Sequence, residues 1–295
     1  VVARFALVAS VLGALALDAA AARACSTCTV GDPTLTALGV GQPYADRLRL
    51  SATARQRRET LGTGAEATEL LEHRVELAAA WSPSDRWVLS VLVPLVQQRV
   101  TFPNLARERR FNLGDLELRA RLVVFRDRDL APRHLVSVLL GLEVPTAPRL
   151  RDSAGQTPYE LQSGSGSLDP FAGVLYSRFA APHSVHLLAA VTTPTPGRFG
   201  VTGGVSGRWM TRYQWQPRAV GLELGVDARL DGMDRVGGVR DLESGGAVMW
   251  VVGGLVASPV TDVALRFIAA MPVLQSLRGG HEEGLALMAS VTLDV

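Results

Sequence analysis

The feature that most limits what this chain can become is an alternation of apolar and polar side chains through most of its length. In VGLELGVDARLDG, Val220, Leu222, Leu224, Val226, Ala228 and Leu230 alternate with Gly221, Glu223, Gly225, Asp227, Arg229 and Asp231. DLELRARLVV sets Leu116, Leu118, Ala120, Leu122 and Val124 against Glu117, Arg119, Arg121 and Val123. DRLRLSATARQR sets Leu48, Leu50, Ala52 and Ala54 against Arg47, Arg49, Ser51, Thr53 and Arg55. A strand turns successive side chains to opposite faces, so each run reads as a strand with one apolar and one polar face. Marking every run gives about twelve strands. They fall at 46–58, 69–81, 86–99, 113–126, 134–145, 168–180, 184–193, 201–215, 219–231, 244–257, 261–273 and 284–295.

The connections alternate in length. SPSDRW, RDRDLAPRHL, APHSV, QPRAV and SPVTDV are short, and each carries one proline, at Pro83, Pro132, Pro182, Pro217 and Pro259. Proline cannot donate to a ladder and so marks a turn or the start of a strand. The connections at 100–112, 146–167, 232–243 and 274–283 are longer and polar. The Gly/Ser-rich stretch LRDSAGQTPYELQSGSGS within them reads as exposed. An even number of strands, short turns at one end and long loops at the other predict an all-β, 12-stranded antiparallel transmembrane β-barrel of the outer membrane. Both ends of the barrel sequence then lie on the short-turn, periplasmic side.

Alternation alone does not say which face is buried, and a secreted β-sandwich is the alternative. Aromatics at the short-turn ends of strands (Trp81, Trp87, Phe125, Phe179 and Trp215) favour the membrane arrangement, because such rings form the girdle at the lipid boundary. On that arrangement the apolar face looks outward. Arginine at Leu224 or Leu118 is then costly, and arginine at Gly225 is tolerated if the lumen has room.

The first residues give a reason for export. Residues 1–24 hold Arg4, an apolar run from Phe5 to Leu17, and Ala22-Arg23-Ala24 before Cys25. That order reads as a signal peptide cleaved before Cys25. As a spanning helix the run is short, and Asp18 interrupts it. Residues 25–45 then form a periplasmic or lumenal segment, and 46–295 the barrel. The only cysteines, Cys25 and Cys28, lie in CSTC. Thr29 excludes the C-x-x-C-H haem motif, and two thiolates leave a zinc site half filled. A lipid on Cys25 fits the preceding residues poorly. A small disulfide loop and capture of a metal both stay open. The following GDPTLTALGVGQPY has turn chemistry, and suits either the periplasm or the barrel mouth. Among 295 residues all 30 basic ones are arginine, and against 28 acids the net charge is +2, so no basic face calls for nucleic acid.

The strand ends GLEVPTAPR and AAMPVLQS and the final strand GLALMASVTLDV resemble the family of outer-membrane transporters linked to phenol meta-cleavage pathways. The resemblance covers most of the chain after residue 24, on loose motifs. It implies a barrel that passes small, often aromatic or hydrophobic, molecules, and it carries over no catalytic residue. In place of the aromatic residue on which such barrels usually end, the final strand keeps its alternation through Val291, Leu293 and Val295.

The polar faces supply the candidate pore lining: Arg47, Arg49, Arg55, Glu72, Arg74, Glu76, Glu117, Arg119, Arg121, Arg208, Arg212, Glu223, Asp227 and Arg229, with Glu143, Arg178 and Arg266 beside them. These 17 positions carry eleven arginines and six acids, an excess that predicts preference for anions. Cross-strand ladders of arginine and carboxylate would fill much of a lumen that lies between the packed eight-stranded and the open sixteen-stranded size. The histidines His73, His134, His183, His186 and His281 lie in no nucleophile motif, so no enzyme and no cofactor is expected. The function expected is a channel or transporter for small solutes in contact with outer-membrane lipid. The alternative is a non-transporting barrel that presents its loops or its CSTC segment to a metal or protein partner.

Overall fold

The computed structural model describes residues 38–152, 155–156 and 159–295. Cys25, Cys28 and the leader lie outside the described residues. Twelve strands close into an antiparallel barrel: β1 (Arg47–Leu61), β2 (Thr68–Ser82), β3 (Trp87–Thr101), β4 in two pieces (Arg107–Leu113 and Leu116–Arg126), β5 (His134–Val144), β6 (Asp169–Ala180), β7 (His183–Thr192), β8 (Ser206–Trp215), β9 (Val220–Asp231), β10 (Gly246–Val260), β11 (Val263–Leu277) and β12 (Glu282–Glu283 and Ala286–Asp294). Each strand pairs with its sequence neighbour, and β1 pairs with both β2 and β12, so the sheet has no open edge. No described helix is long and apolar enough to cross a membrane.

The alternation fixes which way each side chain looks. Leu48, Leu50, Leu77, Leu118, Leu222, Leu224, Leu255 and Phe267 stand on the outer surface, while Arg55, Arg57, Glu72, Glu76, Arg121, Arg212 and Glu223 are buried inside. That is the reverse of a soluble barrel and is the arrangement of a membrane barrel. Trp81, Trp87, Phe125 and Trp215 face outward at the short-turn end as the girdle reading requires. Phe125 does so because the ladder is bulged between Val123 and Phe125, which restores its outward direction opposite Val136. Two further outward pairs join this rim. The imidazole of His134 lies 2.8 Å from the Tyr176 hydroxyl, and that of His183 lies 2.7 Å from the Tyr213 hydroxyl.

Two residues depart from the sequence reading. Arg178 is exposed on the outer face, and Phe179 points inward, with its ring edge-on to His186. The register sets this. Ser177 lies opposite His186, and both are buried within the barrel, so its neighbours Tyr176 and Arg178 must look out.

The loops also differ from expectation. Residues 102–106 form only a hairpin turn, because β3 and β4 stay paired as a ribbon from Leu95–Leu113 to Thr101–Arg107. Likewise β11 runs on to Leu277. Among the short turns, Asp127 accepts the backbone N–H groups of His134 and Arg133 at 2.9 and 2.8 Å, which holds its carboxyl below the usual carboxylate range.

Leu224→Arg is expected to lower stability by about 2–4 kcal/mol, and Leu48→Arg, at the periplasmic rim, by about 0–1 kcal/mol. Urea unfolding of the barrel in phospholipid vesicles measures both, and equal costs at the two depths would contradict the membrane placement.

Candidate functional site: the barrel lumen

The inward faces meet in a lattice of ion pairs. Arg57, opposite Glu72 in the β1–β2 ladder, lies 3.4 Å from Glu72, 3.0 Å from Glu59 and 3.7 Å from Glu283. Arg74 pairs with Glu72 at 3.3 Å, and Arg55 with Glu76 at 3.4 Å. His281 lies 3.1 Å from Glu59. Arg229 on β9 reaches Asp231 at 2.6 Å and Glu283 on β12 at 3.2 Å, with its guanidinium over the Trp250 ring. Strands β10 and β11 stand between β9 and β12 in the wall, so this bridge spans a chord of the lumen.

A second group lies nearer the periplasm. Arg212 holds both carboxylate oxygens of Asp227, at 2.5 and 2.7 Å, and lies 3.1 Å from Glu223. Glu223 in turn holds Arg266 of β11 at 3.0 Å. Arg212 lies opposite Gly225 in the ladder. A Cβ on Gly225 would sit 2.1 Å from the Thr211 carbonyl and 2.8 Å from the Arg212 side chain. The lumen therefore has no room for arginine at Gly225. This glycine is where the Arg212 side chain lies down.

Thus Arg55, Glu72, Arg74, Glu76, Arg212, Glu223, Asp227, Arg229 and Arg266 are brought into these two groups. Arg119 pairs with Glu117 on β4. Arg208 faces inward opposite Arg229. Arg47 and Arg49 lie at the periplasmic mouth, paired with Asp262 and Asp294 at 2.6 Å each. Glu143 stands between Glu117 and Asp169 in one row of three carboxylates. The alternation in RQRRETL runs on through Arg57, inside the expected strand 46–58 though left out of the candidate lining, and Glu59, one residue beyond its expected end. The inward acids Glu59, Asp115, Asp169, Asp231, Glu283 and Asp294 offset the positive excess once Arg178 is removed from the inside. The lining is charge-balanced, and the predicted anion preference loses its basis.

Two segments close the lumen. At the extracellular end, Leu161, Gln162, Ser163, Ser165 and Ser167 are buried, against the exposed reading of this Gly/Ser-rich stretch. Leu161 packs on Leu70 and Val100 across the mouth. Asp115 is the hub. One carboxylate oxygen accepts the Ala147 N–H at 2.8 Å, and the other accepts the Ser165 hydroxyl and the Gly166 N–H at 3.3 Å each. Gly164 crosses so close that a Cβ would lie 2.2 Å from that carboxylate. The strand is broken at Gly114–Asp115 to make this contact. Pro94 faces the break, and lacking an N–H it loses no ladder bond there, while its carbonyl still accepts from Gly114.

At the periplasmic end residues 38–44 enter the barrel mouth, with Leu38 and Gly39 buried inside and Tyr44 exposed. Leu38 is buried among Ala80, Val88, Leu139, Leu175, Leu188 and Met210. Arg121 clamps the backbone, donating to the carbonyls of Leu38, Gly39 and Gly41 at 3.3, 2.7 and 2.9 Å and to Ser137 Oγ at 3.0 Å. Beside the segment a vestibule of about 230 Å³ is lined by Arg49, Gln214, Arg266, Ser290, Thr292 and Asp294. His186 lies between the hydroxyls of Ser177 and Ser184, at 3.0 and 3.1 Å, with no carboxylate in the set. Among the described residues no group of three or more His, Cys, Asp or Glu side chains is placed to hold a metal ion.

An outer membrane channel from Pseudomonas putida F1 matches this architecture with a TM-score of 0.69 at 14% identity, over 91% of this chain and 100% of that one. The beta domain of the Bordetella autotransporter BrkA matches with a TM-score of 0.50 at 11% identity, over 85% of this chain and 100% of that one. The fold is that of an outer-membrane β-barrel. No protein-family model and no curated protein matches the chain.

Arg212→Met leaves Asp227 buried without its cation, while Glu223 keeps Arg266, and is expected to cost about 3–5 kcal/mol. Adding Asp227→Asn should recover most of that loss. Urea unfolding of the single and double variants measures it. A single variant as stable as the parent would mean that water already solvates this group.

Proposed function

We propose that this protein is an outer-membrane channel for small solutes of largely apolar character, closed to ions at rest. The single observation that carries the reading is the seating of residues 38–44. They enter the periplasmic mouth of the barrel beside the vestibule, and they are held there by hydrogen bonds from one arginine and by an apolar patch. A segment that only filled a structural void would not need a lumen of twelve strands around it. Drawn aside, it would uncover Ala80, Val88, Leu139, Leu175, Leu188 and Met210, an apolar wall inside the barrel that suits aromatic or aliphatic solutes better than ions. The resemblance to transporters linked to phenol meta-cleavage pathways points to the same class, small aromatics. The balanced ion lattice supports low ionic conductance, since its side chains neutralise one another and cross the lumen.

The test is planar-bilayer conductance together with uptake of a small phenol into proteoliposomes. The parent should show small, rare openings and measurable phenol uptake. Arg121→Ala frees the carbonyls of Leu38, Gly39 and Gly41 and should raise conductance several-fold. Absence of phenol uptake and of any conductance in both proteins would overturn the reading.

A further inference from the structure

The outer surface carries a second feature that the lumen does not explain. Four neighbouring strands, β1 to β4, can be read row by row from mid-membrane toward the extracellular end. One outward row is Ala54, Val75, Leu95 and Leu113, all apolar. The next is Gln56, His73, Gln97 and Phe111. The third is Arg58, Leu71, Arg99 and Arg109, and the fourth is Thr60, Glu69, Thr101 and Arg107. Two rows span about 13 Å along a strand, less after tilt, so the arginine row stands at headgroup height above the apolar belt.

The four arginines are exposed. Among the described residues none of them pairs with a carboxylate, and Arg109 donates only to Gln97 Oε1, at 3.2 Å. Arg99 and Arg109 lie directly opposite each other in the ladder, with Arg107 on the diagonal. Like charges in that position repel. Inside the barrel the same juxtaposition occurs between Arg55 and Arg74, and there Glu72 and Glu76 lie between them. The acids about this groove are Glu69 in the row above, Glu282 opposite Thr60, and Glu59 and Glu108 in its lining. Glu59 is taken up by Arg57 and His281 and Glu108 by Arg110, which leaves two acids for four cations. The arginines border a groove of about 540 Å³. Elsewhere around the wall the outward residues toward this end are apolar, as at Leu140, Val191, Leu230 and Leu285. The basic patch is local, not a rim-wide solvated fringe.

We propose that this groove binds the phosphorylated headgroup of a lipid in the outer leaflet of the membrane. Arginine forks hold phosphate oxygens in a bidentate way, and a phosphate seated between Arg99 and Arg109 removes their repulsion. The Phe111 and Leu113 side chains below, both exposed, meet the acyl chains of the same lipid. The patch thus joins headgroup and chain recognition on one strand ribbon. It depends on the barrel standing in an asymmetric outer membrane, and not on what the lumen passes.

The test titrates the folded full-length protein in detergent with diphosphorylated lipid A, with its dephosphorylated form and with inorganic phosphate, and counts bound lipid by native mass spectrometry. The expected result is one retained diphosphorylated lipid, no retention of the dephosphorylated form, and no displacement by millimolar phosphate. Arg99→Gln with Arg109→Gln should weaken retention by about tenfold or more, while Arg235→Gln with Arg240→Gln, on a separate exposed hairpin, should leave it unchanged. Heat-modifiable migration confirms folding, and if the double variant does not fold, Arg99→Gln and Arg107→Gln alone should each weaken retention. Equal retention of both lipid forms, displacement by free phosphate at matched concentration, or unchanged binding in the folded variants would each overturn the proposal.

Discussion

In hydrocarbon a backbone N–H or C=O has no water to bond, so every strand must be paired on both sides. That one requirement closes β1 onto both β2 and β12 and leaves the sheet without an edge. Closure then divides the side chains. The outward set at mid-membrane faces lipid and is apolar, and the inward set shares one enclosed lumen. Polar groups in such a space must find one another, because an unpaired buried charge costs several kcal/mol. The chords from Arg229 to Glu283 and from Glu223 to Arg266 follow from that. The lattice thus ties together β1, β2, β8, β9, β11 and β12.

Other parts of the wall are lined by apolar clusters, one on β10 to β12 (Val248, Trp250, Val252, Ile268 and Met288) and one on the opposite side. Val88, Leu92 and Val96 on β3, Leu139 on β5, Leu175 on β6 and Leu188 on β7 turn buried apolar side chains inward. Here alternation fails as a guide to polarity, since both faces of β3 are apolar in WVLSVLVPLV. The strands were legible because the period survives wherever one face stays polar, as in β1, β4 and β9. The direction of Arg178 and Phe179 was not legible. LYSRFA offers a mixed face on either side, and only the cross-strand register with His186 settles it.

The caps were hidden for another reason. QSGSGS has the composition of a solvated loop, yet glycine and serine also suit a segment that must pass close to other backbone while carrying its own donors. Gly164 lies against Asp115, and Ser165 and Gly166 donate to it. Asp115 itself fell inside the expected strand 113–126, with nothing in its residue type to mark a hub. Its role depends on a break in the ladder opposite Pro94, and a proline inside an apolar run was the one local sign of that break.

The two closures differ in kind, and the difference bears on which of them moves. The extracellular cap is tied to the wall through a carboxylate bonded to three groups from two parts of the loop, and through Leu161 seated on Leu70 and Val100. Freeing it would strand a buried anion as well as uncover apolar surface. The periplasmic segment is held by a guanidinium bonded to neutral carbonyls, with no carboxylate partner among the described residues. Replacing those carbonyls with water costs about 1.5–3 kcal/mol for each such bond, but it leaves no buried carboxylate unpaired. The burial of Leu38 adds about 1.5–3 kcal/mol. An apolar solute that occupied the place of Leu38 would supply that contribution itself. On the proposed function, the chemistry of the clamp and of the patch beneath it makes the periplasmic segment the element for a solute to displace, and leaves the extracellular cap as part of the fixed wall.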